Sequence, residues 1–140
     1  MKTFFLTCFV FLTFLLASAH GQHFIGMTTD EIKDTMRETK RDFYFAKEVN
    51  NGKYNFLKFE NMDQTQTMLF ILSKKGTCKY TKLMSDYSLL KSLVDSLNSQ
   101  YTYQKNMKWI DSGVGDGEEY LIELEKREWF FTIKTSPIKK

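Results

Sequence analysis

MLFILSKKGTCKY, residues Met68 to Tyr80, decides the fold class. An apolar run ends at Ser73, Lys74-Lys75-Gly76 supplies a three-residue loop with glycine at the left-handed position, and a second β-forming run starts at Thr77. Two strands joined this tightly lie antiparallel. The implied register pairs Ser73 with Thr77, Leu72 with Cys78 and Phe70 with Tyr80. Cys78 then shares a face with Phe70, Leu72 and Tyr80.

The same pattern extends in both directions. Upstream, Asn51-Gly52 sits between the aromatic-rich runs Phe43 to Val49 and Tyr54 to Phe59, the residue pair a type I′ hairpin turn requires. That turn would set Val49 opposite Tyr54, Phe45 opposite Lys58 and Ala46 opposite Leu57. Phe43, Phe45, Val49, Tyr54 and Phe56 would share one face, with Tyr44, Ala46, Leu57 and Phe59 on the other. Downstream, Tyr101, Tyr103, Met107 and Trp109 alternate along one long strand. Tyr120, Ile122 and Leu124 alternate along another, and Trp129, Phe131 and Ile133 along a last one.

Two helices interrupt the strands. Thr28-Thr29-Asp30-Glu31 reads as a capping box, with Met27 and Ile32 at the flanking staple positions, and predicts a helix over 29–39. Leu89, Leu90, Leu93, Val94 and Leu97 recur on one face of a 3.6-residue period and predict a second helix over 87–97, capped by Asp86 or Ser85 and ended by Asn98. The expectation is therefore an α+β fold: an antiparallel β-sheet of about seven strands, order α-ββββ-α-βββ, with two helices packed on one face.

At the amino terminus, Lys2, an apolar run from Phe4 to Leu16, and Ala17-Ser18-Ala19 read as a secretory signal peptide over residues 1–19. The run is shorter than the roughly 20 residues a membrane-spanning helix needs. Residues 20–140 then form a single α+β domain, exported and soluble, periplasmic or secreted. The chain has one proline, Pro137, and no low-complexity stretch that would mark a linker. Of its two cysteines, Cys8 leaves with the leader, so Cys78 has no partner for an internal disulfide.

Little here is laid out for catalysis. A nucleophilic Cys78 needs a histidine, a cation or a helix N-terminus beside it. The two histidines, His20 and His23, sit in the leader's wake, and Lys79 points to the opposite sheet face. Cys78 reads as a buried sheet residue. Asp111-Ser112-Gly113-Val114-Gly115-Asp116-Gly117-Glu118 lacks the helix of a dinucleotide loop and puts glycines where an EF-hand needs ligands. Its metal candidates are calcium-binding oxygens of Asp111, Asp116 and Glu118, set against a plain solvated hairpin loop. No cofactor is expected. The near-balanced charge, formally +3 overall, gives no basic mass of the kind nucleic acid requires. The aromatic surplus of 13 Phe, 7 Tyr and 2 Trp is the more suggestive feature. Tyr101, Tyr103, Trp109 and Trp129 are the candidate ligand- or partner-binding rings, against the reading that most of them are core.

GMTTDEIKDTM, Gly26 to Met36, resembles the helix openings of Gram-negative envelope proteins that include the outer-membrane-assembly small lipoproteins and β-lactamase-inhibitory-protein-like domains. The resemblance implies a non-catalytic, protein-binding domain. The chain departs from the pattern in having no Gly-x-Pro after the first helix and no cysteine at the cleavage site. As a whole, with TMLFIL, GTCKY and EWFFTI, it is similar to the small exported proteins of unassigned function common in Bacteroidetes, which implies an envelope address and no activity. The expected function is a periplasmic, non-catalytic interaction domain that engages another envelope protein through an uncovered sheet surface or edge strand. The alternative is a small-ligand or glycan binder, and behind it a carboxylate-based hydrolase.

Overall fold

The computed structural model describes residues 23–113 and 117–139, so the leader read in residues 1–19, and Asp116, lie outside the described residues. Helix α1 (Thr29–Thr39) is followed by strands β1 (Phe43–Asn50), β2 (Asn55–Asn61), β3 (Gln66–Leu72) and β4 (Cys78–Ser85). A 3-10 turn (Tyr87–Leu89) leads into helix α2 (Leu90–Gln100), and strands β5 (Thr102–Tyr103), β6 (Lys108–Asp111), β7 (Tyr120–Lys126) and β8 (Phe131–Pro137) complete the chain. All eight strands join one antiparallel sheet in the order β1-β2-β3-β4-β8-β7-β6-β5. Each helix thus precedes a four-strand meander, and the last strands of the two meanders meet at the centre.

The fold is α+β as expected, with one strand more than the sequence suggested. The long strand expected from Tyr101 to Trp109 is two strands and a turn. Tyr101 caps the end of α2, and Asn106 and Met107 take positive φ angles of 52° and 56°, which folds Tyr103 back opposite Trp109.

Helix α1 begins where its capping box lies. The Glu31 carboxylate accepts from the Thr28 amide at 2.8 Å, and the Glu31 amide donates to the Thr28 hydroxyl at 3.4 Å. The Thr28 amide, and the Thr28 hydroxyl donating to the same carboxylate at 3.1 Å, hold the Glu31 carboxyl below its ordinary value. Ile32 and Met36 drop into the core from the helix's thin apolar stripe. Thr28→Ala is expected to cost about 1 kcal/mol in urea unfolding, the usual worth of a threonine N-cap. Unchanged stability would mean that tertiary packing alone sets the helix start.

Both hairpin registers depart from expectation, for identifiable reasons. Asn51 does not take the left-handed position of a two-residue turn. Its carboxamide oxygen accepts from the Lys53 and Tyr54 amides at 3.2 and 2.8 Å, leaving Gly52 alone at positive φ in a four-residue loop. Val49 consequently pairs with Phe56, and Glu48 rather than Ala46 pairs with Leu57. A bulge at Ala46 then turns Phe45 to the same face as Phe59. In the second hairpin the Lys74-Lys75-Gly76 loop and the Leu72–Cys78 pair form as expected, but a bulge at Lys79 puts Tyr80 opposite Ile71. Tyr80 therefore lies on the face away from Cys78.

Cross-strand partners share a face, and the pairs of successive strands link into rows. Leu57, Phe70, Thr81, Thr135, Ile122 and Trp109 are partners in succession from β2 to β6. All but half-buried Thr135 are buried. This inner face carries the core in two clusters, α1 over Leu57, Phe59 and Phe70, and α2 over Trp109, Ile122 and Phe131. Both helices therefore cover the same face. No helix among the described residues is long and apolar enough to cross a membrane.

Candidate functional site

The rings singled out from sequence do not assemble on one surface. Trp109 is fully buried, with its indole N–H donating to the Asn98 side chain at 2.8 Å, which corrects the expectation that it faces a partner. Asn98 does not end α2; it anchors that indole from within the last turns of the helix. Tyr101 is half-buried against the same cluster, and burial, then the charge of Asp111, pushes its phenol up. Tyr103 is half exposed and stands edge-on to Trp109 at 5.5 Å. Trp129 is 79% exposed, in the loop between β7 and β8.

The calcium candidates do not converge either. Asp111 is buried: one oxygen accepts from the Gly113 amide at 2.9 Å, and the other lies 2.7 Å from His23 Nε2. His23 in turn stacks on Tyr120 at 3.9 Å. Glu118 is exposed and accepts from the Tyr120 hydroxyl at 3.4 Å. Among the described residues no three metal-ligating side chains gather.

Cys78 is buried beside Phe70 and Leu72, as its loop register implied, and its thiol donates to the Tyr80 carbonyl at 3.6 Å. Burial pushes the thiol up to about 12. A thiol so protonated is a poor nucleophile at any ordinary pH.

Three concavities are candidates for a ligand. Two of them, about 280 and 200 Å³, lie over the inner face between α1 and α2, sharing Phe24, Lys40, Met68, Thr81 and Thr135. Their linings hold one carboxylate, Asp42, not the convergent pair a hydrolase uses.

The third and largest, about 620 Å³, opens on the other side of the sheet, at the end formed by the β1–β2 and β3–β4 loops. It is lined by the aromatic residues Tyr54, Phe56 and Tyr80 and by Lys53, Lys74 and Lys79, with no acidic residue. Phe56, Ile71 and Tyr80 are a cross-strand row, and the next row along the strands continues the chemistry. Lys47, Lys58, Leu69, Lys82, Lys134 and Glu123 are partners in succession from β1 to β7, and Lys108 follows on β6. Neither helix covers this face.

Some of these lysines are neutralised locally. Lys58 pairs with Glu60, whose carboxyl is held low by Lys58 and by the Tyr44 hydroxyl, and Lys108 lies 3.2 Å from Glu123. Lys82 and Lys134 hold no ion pair among the described residues, although Glu123 stands opposite Lys134. They face each other on the two central strands, where like charges directly opposite are destabilising. Lys134 leans over the Tyr80 ring, 4.9 Å from its centre, and Lys82 has no ion-pair partner among the described residues. Sequence reading missed this face because the Lys79 bulge reverses the side on which Tyr80 and Lys82 emerge.

Comparison with protein-family models, with curated proteins and with solved structures finds no match to this chain.

Proposed function

We propose that the protein is an exported, non-catalytic binding domain that engages its partner through the uncovered face of the sheet. The observation that carries this reading is the 620 Å³ cleft, walled by aromatic rings and lysines without a carboxylate and adjoining the facing Lys82–Lys134 pair. Half-buried Phe56, Leu69, Ile71 and Met84 lie on the same face and give it apolar area to bury. The face is the better candidate than the edges. Strand β1 carries a bulge, Lys47 and Glu48, devices that discourage strand addition, and β5 is two residues long. The leader over residues 1–19 supports export, and the envelope address follows from the resemblances of the whole chain.

Lysine footprinting tests the reading. Acetylation of the protein in the soluble envelope fraction of cells that make it, against the purified protein, is expected to show shielding of Lys79, Lys82 and Lys134 with Lys40 and Lys91 unchanged. Shielding confined to Lys40 or Lys91, or none at any lysine, would refute it.

A further inference from the structure

The uncovered face carries chemistry specific enough to name the class of ligand, resting on the reading that this face is where the domain binds. Three features constrain the occupant. The cleft is lined by lysines and no acidic residue, so the ligand is anionic. Lys82 and Lys134 face each other on adjacent strands, where lateral spacing is about 4.8 Å, so the ligand carries closely spaced negative charges beside the cleft. The rings of Tyr54, Phe56 and Tyr80 stand beside that pair, in and next to the adjoining row along the strands, two of them within 5.2 and 4.9 Å of a lysine ammonium, and offer apolar faces on which a ring can stack.

In mid-sheet the backbone amides and carbonyls are consumed by the ladders, so an acidic peptide would find no main-chain partners there. A chain of rings bearing a carboxylate on each ring meets all three constraints. We propose that the cleft and the Lys82–Lys134 pair bind a linear acidic glycan of the polyuronate class, one sugar stacked in the cleft and its successors' carboxylates seated between the facing lysines. An anion between Lys82 and Lys134 also relieves the repulsion the free protein carries at its centre.

The test is titration calorimetry of the purified domain with polygalacturonate oligomers, at low and at physiological salt, against neutral dextran oligomers, duplex DNA and phosphatidylglycerol vesicles. Expected is binding to polygalacturonate that weakens with salt, absent for dextran and at least tenfold weaker for DNA and vesicles. Lys82→Glu replaces the like-charge pair by an opposite-charge pair, so it is expected to keep or raise Tm while lowering polyuronate affinity at least tenfold. Tyr80→Ala is expected to lower it severalfold, and Lys91→Glu on α2 to leave it unchanged.

No binding to polygalacturonate, equal binding of dextran, DNA or vesicles, or full affinity in folded Lys82→Glu would each overturn the proposal. If footprinting still shields Lys79, Lys82 and Lys134 in envelope extract when polygalacturonate does not bind, the binding-face reading stands and only the ligand class falls.

Discussion

Trp109→Ala is expected to be the most damaging single truncation in the chain, lowering unfolding free energy by about 3–5 kcal/mol. The ring is fully buried in the α2 cluster, so its removal leaves a cavity bounded by Ile122, Leu124 and the helix, and strips Asn98 of its donor. A domain of this size has a margin of only about 5–15 kcal/mol, so the variant should sit near its threshold at 37 °C. Trp129→Ala is the control: its ring is 79% exposed and should cost less than about 0.5 kcal/mol. Chemical unfolding of the two variants, with acrylamide quenching of each remaining tryptophan, decides the matter. Comparable losses from the two would contradict the placement of Trp109 under α2.

The second large effect is alkaline. Cys78 has its thiol raised from 9.0 to about 12 by burial. A folded-state value above the unfolded one means that the unfolded chain surrenders its proton first, so this contribution is whole below about pH 9 and drains as pH climbs toward 12. Three pH units correspond to an upper bound of about 4 kcal/mol. The comparison is wild type against Cys78→Ala in urea from pH 8 to pH 11. Tyr44 and Tyr101, both pushed up, titrate in each protein and cancel in the difference. Wild type should start ahead and lose stability faster, whereas parallel curves would show the thiol is hydrated. Thiol reagents at pH 8 should accordingly label Cys78 only on unfolding.

How far the sequence discloses this molecule depends on how local each signal is. Helix α1 was legible to the residue, because its start is a capping box that closes within four positions. The Lys74-Lys75-Gly76 loop was legible for the same reason, and Cys78 with it. Bulges are not local signals. Nothing in FYFAKEV or TCKYTK announces that Ala46 and Lys79 are extra residues; they become so when the neighbouring strands fix their own registers. Each such residue inverts the faces of everything beyond it. That inversion hid the candidate site, since Tyr80 was assigned to the core with Cys78 and its alignment with Phe56, Lys82 and Lys134 could not be seen. The aromatic surplus reads as core or as binding surface, and the rings divide between the two: Trp109 is buried while Tyr103 and Trp129 are exposed. Trp109 alternates as an exposed strand residue would, and only the indole's bond to Asn98 and the cover of α2 distinguish the two.

The strand order has a further consequence. Strands β4 and β8 are antiparallel neighbours at the middle, each ends its own helix-plus-meander, and both helices lie on one side. The strand order is thus that of an isologous dimer with a pseudo-dyad between β4 and β8 and its halves joined in one chain. In a true dimer every site would occur twice. The counterpart of the lysine cleft falls at the opposite end of the sheet, between the turns that hold Lys105 and Trp129, where Lys105 is the one turn lysine against Lys53, Lys74 and Lys75 at the first end. Among the described residues the two ends of the uncovered face therefore carry unlike chemistry, and a line drawn along that face across the pseudo-dyad has a direction.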